Sequence, residues 1–332
     1  MLSATNNAMH SACPRVVLPF GWKEASTLVL LYVGLDWVSY IRPLHGLNIT
    51  AWNPAPAVAI VFFLRYGWRT VVPLGVAILV ADFVIRSLFI PVGVLLSAQL
   101  AVGYLVIGEF LHHSFPAQNF FERWRSLAEW AAIVISTTGV NSVAYVFGLA
   151  LAGMIPVEEW GSDAYQHWIG DAVGIIVSMP FFWMLPEILF PSRWSARFGN
   201  FETLMHFVLI CVAVGIAFGF GTVGEFKYFY VLFVPIAVAA GMHGMQGAVL
   251  SCYGVQLAII LAVSACDYSA LSIVDVQMLM AGLSLCGFFI GVVVDRQRRL
   301  QQDVRQSLRL AAAAEMAGAL AHELNQPLTA LA

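Results

Sequence analysis

The sequence predicts an all-α fold: a polytopic membrane helical bundle of eight to ten spans with both ends cytoplasmic, followed by a cytoplasmic signalling helix or coiled coil. Three observations predict it. Of the 332 residues, 60% are hydrophobic and 11% are charged, whereas soluble proteins carry roughly a quarter charged residues, and this excludes a soluble globular enzyme. Apolar runs long enough to cross a bilayer recur along the chain. Of the 16 Lys and Arg residues, five crowd between Arg296 and Arg309.

The apolar runs give the helices in order, because a transmembrane helix needs about 20 apolar residues. Eight clear runs lie near 26–44, 68–89, 92–111, 128–154, 166–187, 203–221, 246–265 and 274–294. Two shorter runs lie near 52–65 and 228–241. Ten spans result if both short runs cross the membrane, and eight if both are re-entrant. Either even number places both ends of the chain on the same side.

Positive charge orients the bundle. If ten runs cross and the tail is cytoplasmic, the inner loops and N-terminal segment hold eight Lys and Arg residues and the outer loops hold three. This bias agrees with the positive-inside rule, and it places the loop with Glu158, Glu159 and Asp163 outside. We expect a multi-pass protein of the bacterial inner (plasma) membrane with both termini cytoplasmic. The net charge of −3 is too small to indicate a nucleic-acid partner.

Ionisable residues within the apolar runs are candidates for a sensing site, because each costs several kcal/mol in a bilayer unless it is paired or hydrated. The carboxylate candidates are Asp36, Asp82, Glu109 and Asp171. His167 and Trp168 precede Asp171 by four and three residues, on one helical face. Gly170 and Gly174 form a small-residue face that lets a neighbour approach closely. The alternative is that Asp171 only hydrogen-bonds a neighbouring helix and binds nothing.

Two prolines mark the start of the first short run, at Trp52-Asn-Pro-Ala-Pro56. They permit a broken membrane helix with free backbone carbonyls, of the kind that lines cavities. The alternative is a plain kinked helix start.

The histidines raise a different ligand chemistry. A bis-histidine haem needs two facing residues, and the available ones are His112, His113, His167, His206 and His243. No pair has a distinctive spacing, so we expect no haem. The Met242–Met245 segment, Met-His-Gly-Met, could attract copper, but a single such cluster is typical of packing. The five cysteines lack any metal-ligand spacing, and we expect no metal site.

Three segments resemble one known family. The Trp52-x-Pro54 start, the WIGDAVG run at 168–174 and the VPIAVAAGMHGMQGA run at 234–248 are similar to the MASE-type, or membrane-associated sensor, family. Its members are multi-span bacterial modules that precede outputs such as histidine kinases and diguanylate cyclases. The resemblance implies a sensor domain over 23–294, after a cytoplasmic segment 1–22. It names no stimulus.

The composition changes abruptly after Val294. Residues 295–310 contain strong helix formers and no Gly or Pro, and they predict a juxtamembrane linker helix. Leu300, Val304 and Leu308 recur every four residues, a stripe typical of a signalling coiled coil. We therefore expect a homodimer through the cytoplasmic helices.

Further along this helix, four leucines predict a second apolar stripe; they are Leu320, Leu324, Leu328 and Leu331. His322 points roughly opposite to that stripe, at about 100° per residue. An exposed imidazole is a nucleophile near neutral pH. Glu323 follows it and could accept the ring proton, while Pro327 predicts a bend one turn later.

The string AHELNQPLTAL, at 321–331, resembles the H-box of the HisKA dimerisation and phosphoacceptor domain of sensor histidine kinases. The resemblance implies that His322 is the phosphoacceptor and Glu323 the general base. Gln326 stands where many members have the Asn or Thr used for phosphatase chemistry. Residues 311–332 would begin this domain.

The resemblance implies a sensor histidine kinase that uses ATP with Mg²⁺ and transfers phosphate to a response regulator. We expect the second hairpin helix and the ATP-binding domain to lie beyond residue 332, so that this fragment alone is inactive. A small-molecule ligand or a membrane partner would supply the stimulus. A transporter is the alternative, because many spans with broken helices and buried acids suit a substrate path. A haem-linked redox sensor is a third hypothesis.

Overall fold

The computed structural model describes residues 18–40, 43–50, 52–87, 90–189, 200–219, 228–265 and 270–330. Within these ranges the chain is helical and contains no strand. Its α-helices are α1 (Trp22–Ser39), α2 (Ala55–Tyr66), α3 (Val71–Val80), α4 (Ile90–Ser114), α5 (Trp124–Leu151), α6 (Trp160–Leu189), α7 (Asn200–Gly219), α8 (Phe233–Ala265) and α9 (Ala270–Ala330). A π-helical turn, Ala81–Ile85, extends α3. The predicted all-α fold is confirmed.

Seven helical segments of the described ranges are long and apolar enough to cross a membrane, so the predicted polytopic bundle is also confirmed. Seven is fewer than the eight to ten predicted spans for two reasons. Two of the segments, Ala55–Ile85 and Phe229–Ala262, each combine two predicted runs around a backbone break. The first predicted run, near 26–44, contains α1, which is not among the seven. The breaks lie at Gly67 and Gly244, where φ is 68° and 66°, in the left-handed region that favours glycine. Each break separates a predicted short run from the long run that follows it. Within the described ranges, each of the ten predicted runs overlaps a helical segment.

The break at Gly244 folds α8 back on itself. A Cβ on Gly247 would lie 2.2 Å from the carbonyl oxygen of Ala239, although residues eight apart in a straight helix are separated by about 12 Å. The two arms of α8 therefore pack against each other.

The charged end of the last span caps this turn. The N–H of Met245 donates to Oδ2 of Asp295 at 2.9 Å, and Arg298 donates to the carbonyl of Met242 at 2.8 Å. These bonds satisfy backbone groups that a broken helix would leave without partners.

Helix α6 is the centre of the bundle and packs against α2, α5, α8 and α9. Residues 169–180 of this helix are all buried. The predicted small-residue face of Gly170 and Gly174 contacts an extended segment, not a helix: the N–H of Asn53 donates to the carbonyl of Gly170 at 3.0 Å. A Cβ on Gly174 would lie 1.7 Å from the carbonyl oxygen of Asn53, so only glycine fits there.

The structure of the Trp52–Pro56 segment has features of both interpretations, the broken membrane helix and the plain helix start. A helix does begin at Ala55, with Pro56 in its first turn, where proline is tolerated. The residues before it, 47–50 and 52–54, are non-helical and buried within the bundle. Residues 43–50 and 52–54 are called the buried arm below.

Helix α9 is continuous across two predicted boundaries. One lies between the sensor domain and the linker helix, after residue 294, and the other lies between the linker helix and the start of the HisKA domain, after residue 310. Its first half packs against α8. A Cβ on Gly287 would lie 2.3 Å from Cγ2 of Ile236, and one on Gly291 would lie 2.7 Å from Cα of Met245. Residues 296–317 are exposed.

Candidate functional site

A cluster of charged side chains lies inside the bundle, centred on Arg86. Its Nη2 donates to both carboxylate oxygens of Asp36, at 2.6 and 2.7 Å. Its Nη1 donates to Oδ1 of Asp82 at 2.7 Å. Nη2 also contacts Oδ1 of Asn48 at 2.8 Å, and the Ser97 hydroxyl donates to the second oxygen of Asp82 at 2.5 Å. Such short, charge-assisted bonds are the strong ones in proteins.

Three helices and the buried arm supply this cluster. Asp82 lies on the π-helical turn after α3, and Arg86 follows four residues later on the same face. Asp36 is on α1, Ser97 on α4 and Asn48 on the buried arm. Both partners of each ion pair are almost fully buried, with side-chain exposures of 2% or less.

A second cluster surrounds Asp171 on α6. The side-chain amide of Asn53 donates to its Oδ1 at 2.9 Å, and the Tyr104 hydroxyl donates to its Oδ2 at 3.1 Å. One turn earlier, Nδ1 of His167 contacts the Ser142 hydroxyl at 2.8 Å. The buried arm contributes one residue to each cluster, Asn48 to the first and Asn53 to the second. Together they are called the polar network below.

Carboxyl groups outnumber cationic groups in the polar network. It contains three carboxylates, Asp36, Asp82 and Asp171, and one guanidinium, Arg86. No other Lys or Arg side chain is buried among the described residues. Burying a charge is favourable only when it is paired and hydrogen-bonded, so the excess of carboxylates favours a bound proton, cation or cationic group.

Several buried polar atoms of the network have no hydrogen-bond partner among the described residues. They are Asn53 Oδ1, Arg86 Nε and His167 Nε2; outside the network, Trp52 Nε1 and the Tyr145 hydroxyl are in the same situation. Leaving one such atom unsatisfied costs about 1–3 kcal/mol, and nearly all buried polar groups in proteins are bonded to protein or water. Each of these atoms can bind ordered water or a polar group of a ligand.

The structure brings together most of the predicted sensing residues. Asp36 and Asp82 share Arg86, and His167 lies one turn from Asp171 on α6. Trp168 faces a different neighbour, because its Nε1 donates to the carbonyl of Ile135 on α5 at 2.8 Å.

Glu109 is half-buried on α4. It lies five residues after Tyr104, about 7.5 Å further along the helix axis. Of the predicted phosphotransfer residues, His322, Glu323 and Gln326 lie on the backbone of α9, but their side chains fall outside the described part of the chain.

Sequence reasoning missed six members of the polar network: Arg86, Asn48, Asn53, Tyr104, Ser97 and Ser142. Under the positive-inside rule, Arg86 counts as one of the three Lys and Arg residues of the outer loops. Its spacing of four residues from Asp82 was a usable signal, because residues four apart share a helical face. The two asparagines lie on non-helical backbone, where no periodicity marks them.

The comparison with known proteins agrees with this architecture. A model of the MASE1 family matches residues 21–298, nearly the range predicted for the sensor domain, and this range includes every residue of the polar network. MASE1 is a membrane sensor domain found in signalling proteins. No curated protein and no solved structure matches the chain. The match covers far more than half of the chain, which therefore belongs to the MASE1 family.

Proposed function

We propose that this chain is the membrane sensor module of a two-component histidine kinase. A stimulus acts at the polar network, and α9 carries the response to His322. One observation supports this proposal above the others: the helix that packs in the bundle and the helix that bears His322 are one continuous helix, Ala270–Ala330. A rigid connection of this kind lets a small change in the bundle move the phosphoacceptor.

The packing supplies a route from the polar network to α9. The buried arm contacts α6 through Asn53, at Gly170 and Gly174. Helix α6 in turn packs against both α8 and α9. Any change that moves the buried arm would therefore be passed to the output helix through one intervening element.

A second copy of the chain fits the exposed half of α9. Leu300, Val304 and Leu308 lie on one stripe and are 55%, 59% and 65% exposed. An apolar stripe with this spacing is stable in water when a partner helix covers it. We propose that the cytoplasmic helices of two copies form a coiled coil, which would hold the two H-boxes side by side.

The chemistry proposed for His322 is phosphoryl transfer. The imidazole attacks the γ-phosphorus of Mg²⁺-ATP, the bond to the β-phosphate oxygen breaks, and ADP leaves. Glu323 accepts the ring proton, which keeps the attacking nitrogen nucleophilic. The phosphoryl group then passes to a carboxylate of a response regulator. This proposal requires the cytoplasmic orientation of the tail that the charge bias predicts, in the inner membrane.

The test of phosphotransfer uses the full-length protein in membrane vesicles with radiolabelled ATP. We expect His322→Ala to abolish labelling and Glu323→Gln to slow it at least tenfold while ATP binding stays intact. The exposed His113 of α4 gives the matched control, His113→Ala, which should label normally. Undiminished labelling of His322→Ala would overturn the kinase proposal.

The sensing role needs a separate measurement. We expect Asp171→Asn to fold normally and to fix the kinase output at one level, because it changes the charge of the polar network without changing its shape. The exposed Asp303 of α9 supplies the control, Asp303→Asn. If folded Asp171→Asn changes its kinase output with the stimulus as the original chain does, Asp171 is not part of the sensing site.

A membrane transporter is the second candidate, and the buried arm favours it. Non-helical backbone at membrane depth typically lines a substrate path. Proteoliposomes that contain the chain would show saturable uptake of a small polar solute under this alternative. Labelling at His322 without such uptake favours the kinase.

A further inference from the structure

Three metal-ligand side chains meet at one end of the bundle, outside the polar network. Nε2 of His45 lies 3.3 Å from Oε2 of Glu159 and 3.2 Å from Oδ2 of Asp163. All three ligand atoms lie within 4.8 Å of one another. His45 is on the short turn Leu44–Gly46 at the start of the buried arm, while the two acids flank the start of α6.

We propose that His45, Glu159 and Asp163 form a binding site for a divalent transition-metal ion, and that Zn²⁺ fits it best. Zn²⁺ binds imidazole nitrogen and carboxylate oxygen at about 2.0–2.2 Å in tetrahedral geometry. Two ligand atoms of such a site are about 3.3–3.5 Å apart. The two distances from Nε2 agree with this spacing. Ca²⁺ requires six to eight oxygen ligands, which a histidine-containing triad does not provide.

Asp163 supplies an independent reason to place a cation there. Its side chain is only 4% exposed, and its Oδ2 accepts no hydrogen bond among the described residues. Its Oδ2 lies 3.2 Å from His45 Nε2, within ion-pair distance. A buried carboxylate oxygen in this situation is costly, and a metal ion bound to Oδ2 and Nε2 together removes the cost.

The site is open to solvent on its other side. The side chains of His45 and Glu159 are 30% and 54% exposed, so an ion can enter from water. A water molecule can complete the tetrahedron, as in zinc sites with three protein ligands. One buried anchor and two accessible ligands give a site that can load and release its ion.

Loading would fix the position of the buried arm. The metal would tie the turn at His45 to the start of α6, and the arm continues to Asn48 and Asn53, which contact Arg86 and Asp171. Metal binding and the polar network would then be coupled through one segment of chain. The metal site itself does not depend on the kinase proposal.

The test measures metal binding by the purified full chain in detergent, prepared without a polyhistidine tag. Isothermal titration with Zn²⁺ should give one site per chain, and Co²⁺ should give the visible absorption of a tetrahedral N/O site. We expect His45→Gln, Glu159→Gln and Asp163→Asn each to weaken Zn²⁺ binding at least tenfold. Glu158→Gln changes the neighbouring exposed acid and should bind Zn²⁺ as the original chain does.

Thermal unfolding gives a second readout, in which Zn²⁺ should raise the Tm of the original chain and of Glu158→Gln only. Glu159→Gln alters an exposed carboxylate and should leave the apo Tm unchanged, so it separates lost binding from lost folding. Absence of a stoichiometric Zn²⁺ site would overturn the proposal. Equal binding of Ca²⁺, or unweakened binding in folded Glu159→Gln, would overturn it as well.

Discussion

The two parts of the bundle treat polar groups differently. Among the described residues, every buried charged side chain belongs to the part formed by α1–α6. The part formed by α7–α9 buries neutral pairs instead, such as Gln256 with Gln277 at 3.0 Å, and brings its helices together at Gly287 and Gly291. Under the proposed function, the first part holds the charges on which a stimulus acts. The second holds a close helix contact that can transmit a movement.

The largest expected effect tests the charges of the first part. Arg86→Met would leave Asp36 and Asp82 buried without their cation, which costs about 3–5 kcal/mol. We expect most of the folded protein to be lost, measured by size-exclusion chromatography and thermal unfolding in detergent. The exposed Arg125 gives the control Arg125→Met, whose stability should change by less than about 0.5 kcal/mol. Equal stability of the two variants would show that the buried ion pairs contribute nothing.

The next effect tests the contact between the buried arm and α6. The added methyl group of Gly174→Ala would overlap the backbone carbonyl of Asn53, which cannot move like a side chain, so we expect a loss of about 3 kcal/mol. Gly161→Ala lies on the same helix with no atom within 4 Å of its added Cβ and should be tolerated. Chemical denaturation of both variants in the same detergent makes the comparison.

A smaller effect tests the contact in the second part. Gly287→Ala places a methyl group against a methyl group of Ile236, a side chain and not a backbone carbonyl, and we expect a loss of about 1–2 kcal/mol. Gly282→Ala on the same helix meets nothing within 4 Å and is the control. If Gly287→Ala disturbs output more than stability, α9 is the transmitting element. If Gly282→Ala and Gly287→Ala have the same output and the same stability, the close contact between α8 and α9 at Gly287 does not transmit the movement.

The smallest effect concerns Asp171. Asp171→Asn keeps one acceptor oxygen for Asn53 or Tyr104 but cannot accept from both, so about one interhelical hydrogen bond is lost. Such a bond contributes about 0.6 kcal/mol inside a membrane bundle, and at most about 1.7 kcal/mol. A double-mutant cycle with Tyr104→Phe measures the coupling of this pair directly. A coupling energy near zero would show that the hydrogen bond between Tyr104 and Asp171 does not stabilise the second cluster.

Hydropathy predicted the helices well, because the length of an apolar run is a local property. Within the described ranges, each of the ten runs overlaps a helical segment, including the two short ones. Backbone breaks were harder to place: the prolines marked the start of α2, but Gly67 and Gly244 had no distinguishing signal among many other glycines.

The candidate site was only partly predictable, because pairing in space is not a local property. Asp36 and Asp171 were found as charges in apolar runs. Their partners Arg86 and Asn53 lie 50 and 118 residues away in sequence, and no periodicity connects positions so far apart. The same holds for His45 and its two acids, whose proximity depends on how the buried arm enters the bundle.

The length of α9 has a mechanical consequence. A helix of 61 residues is about 92 Å long, and about 46 Å of it separates Gly291 from His322. A tilt of about 5° with its pivot at Gly291 would therefore sweep His322 sideways by about 4 Å. A displacement too small to disturb the packing of the bundle is therefore enlarged, at the far end of α9, to the distance between two side chains in contact, about 4 Å.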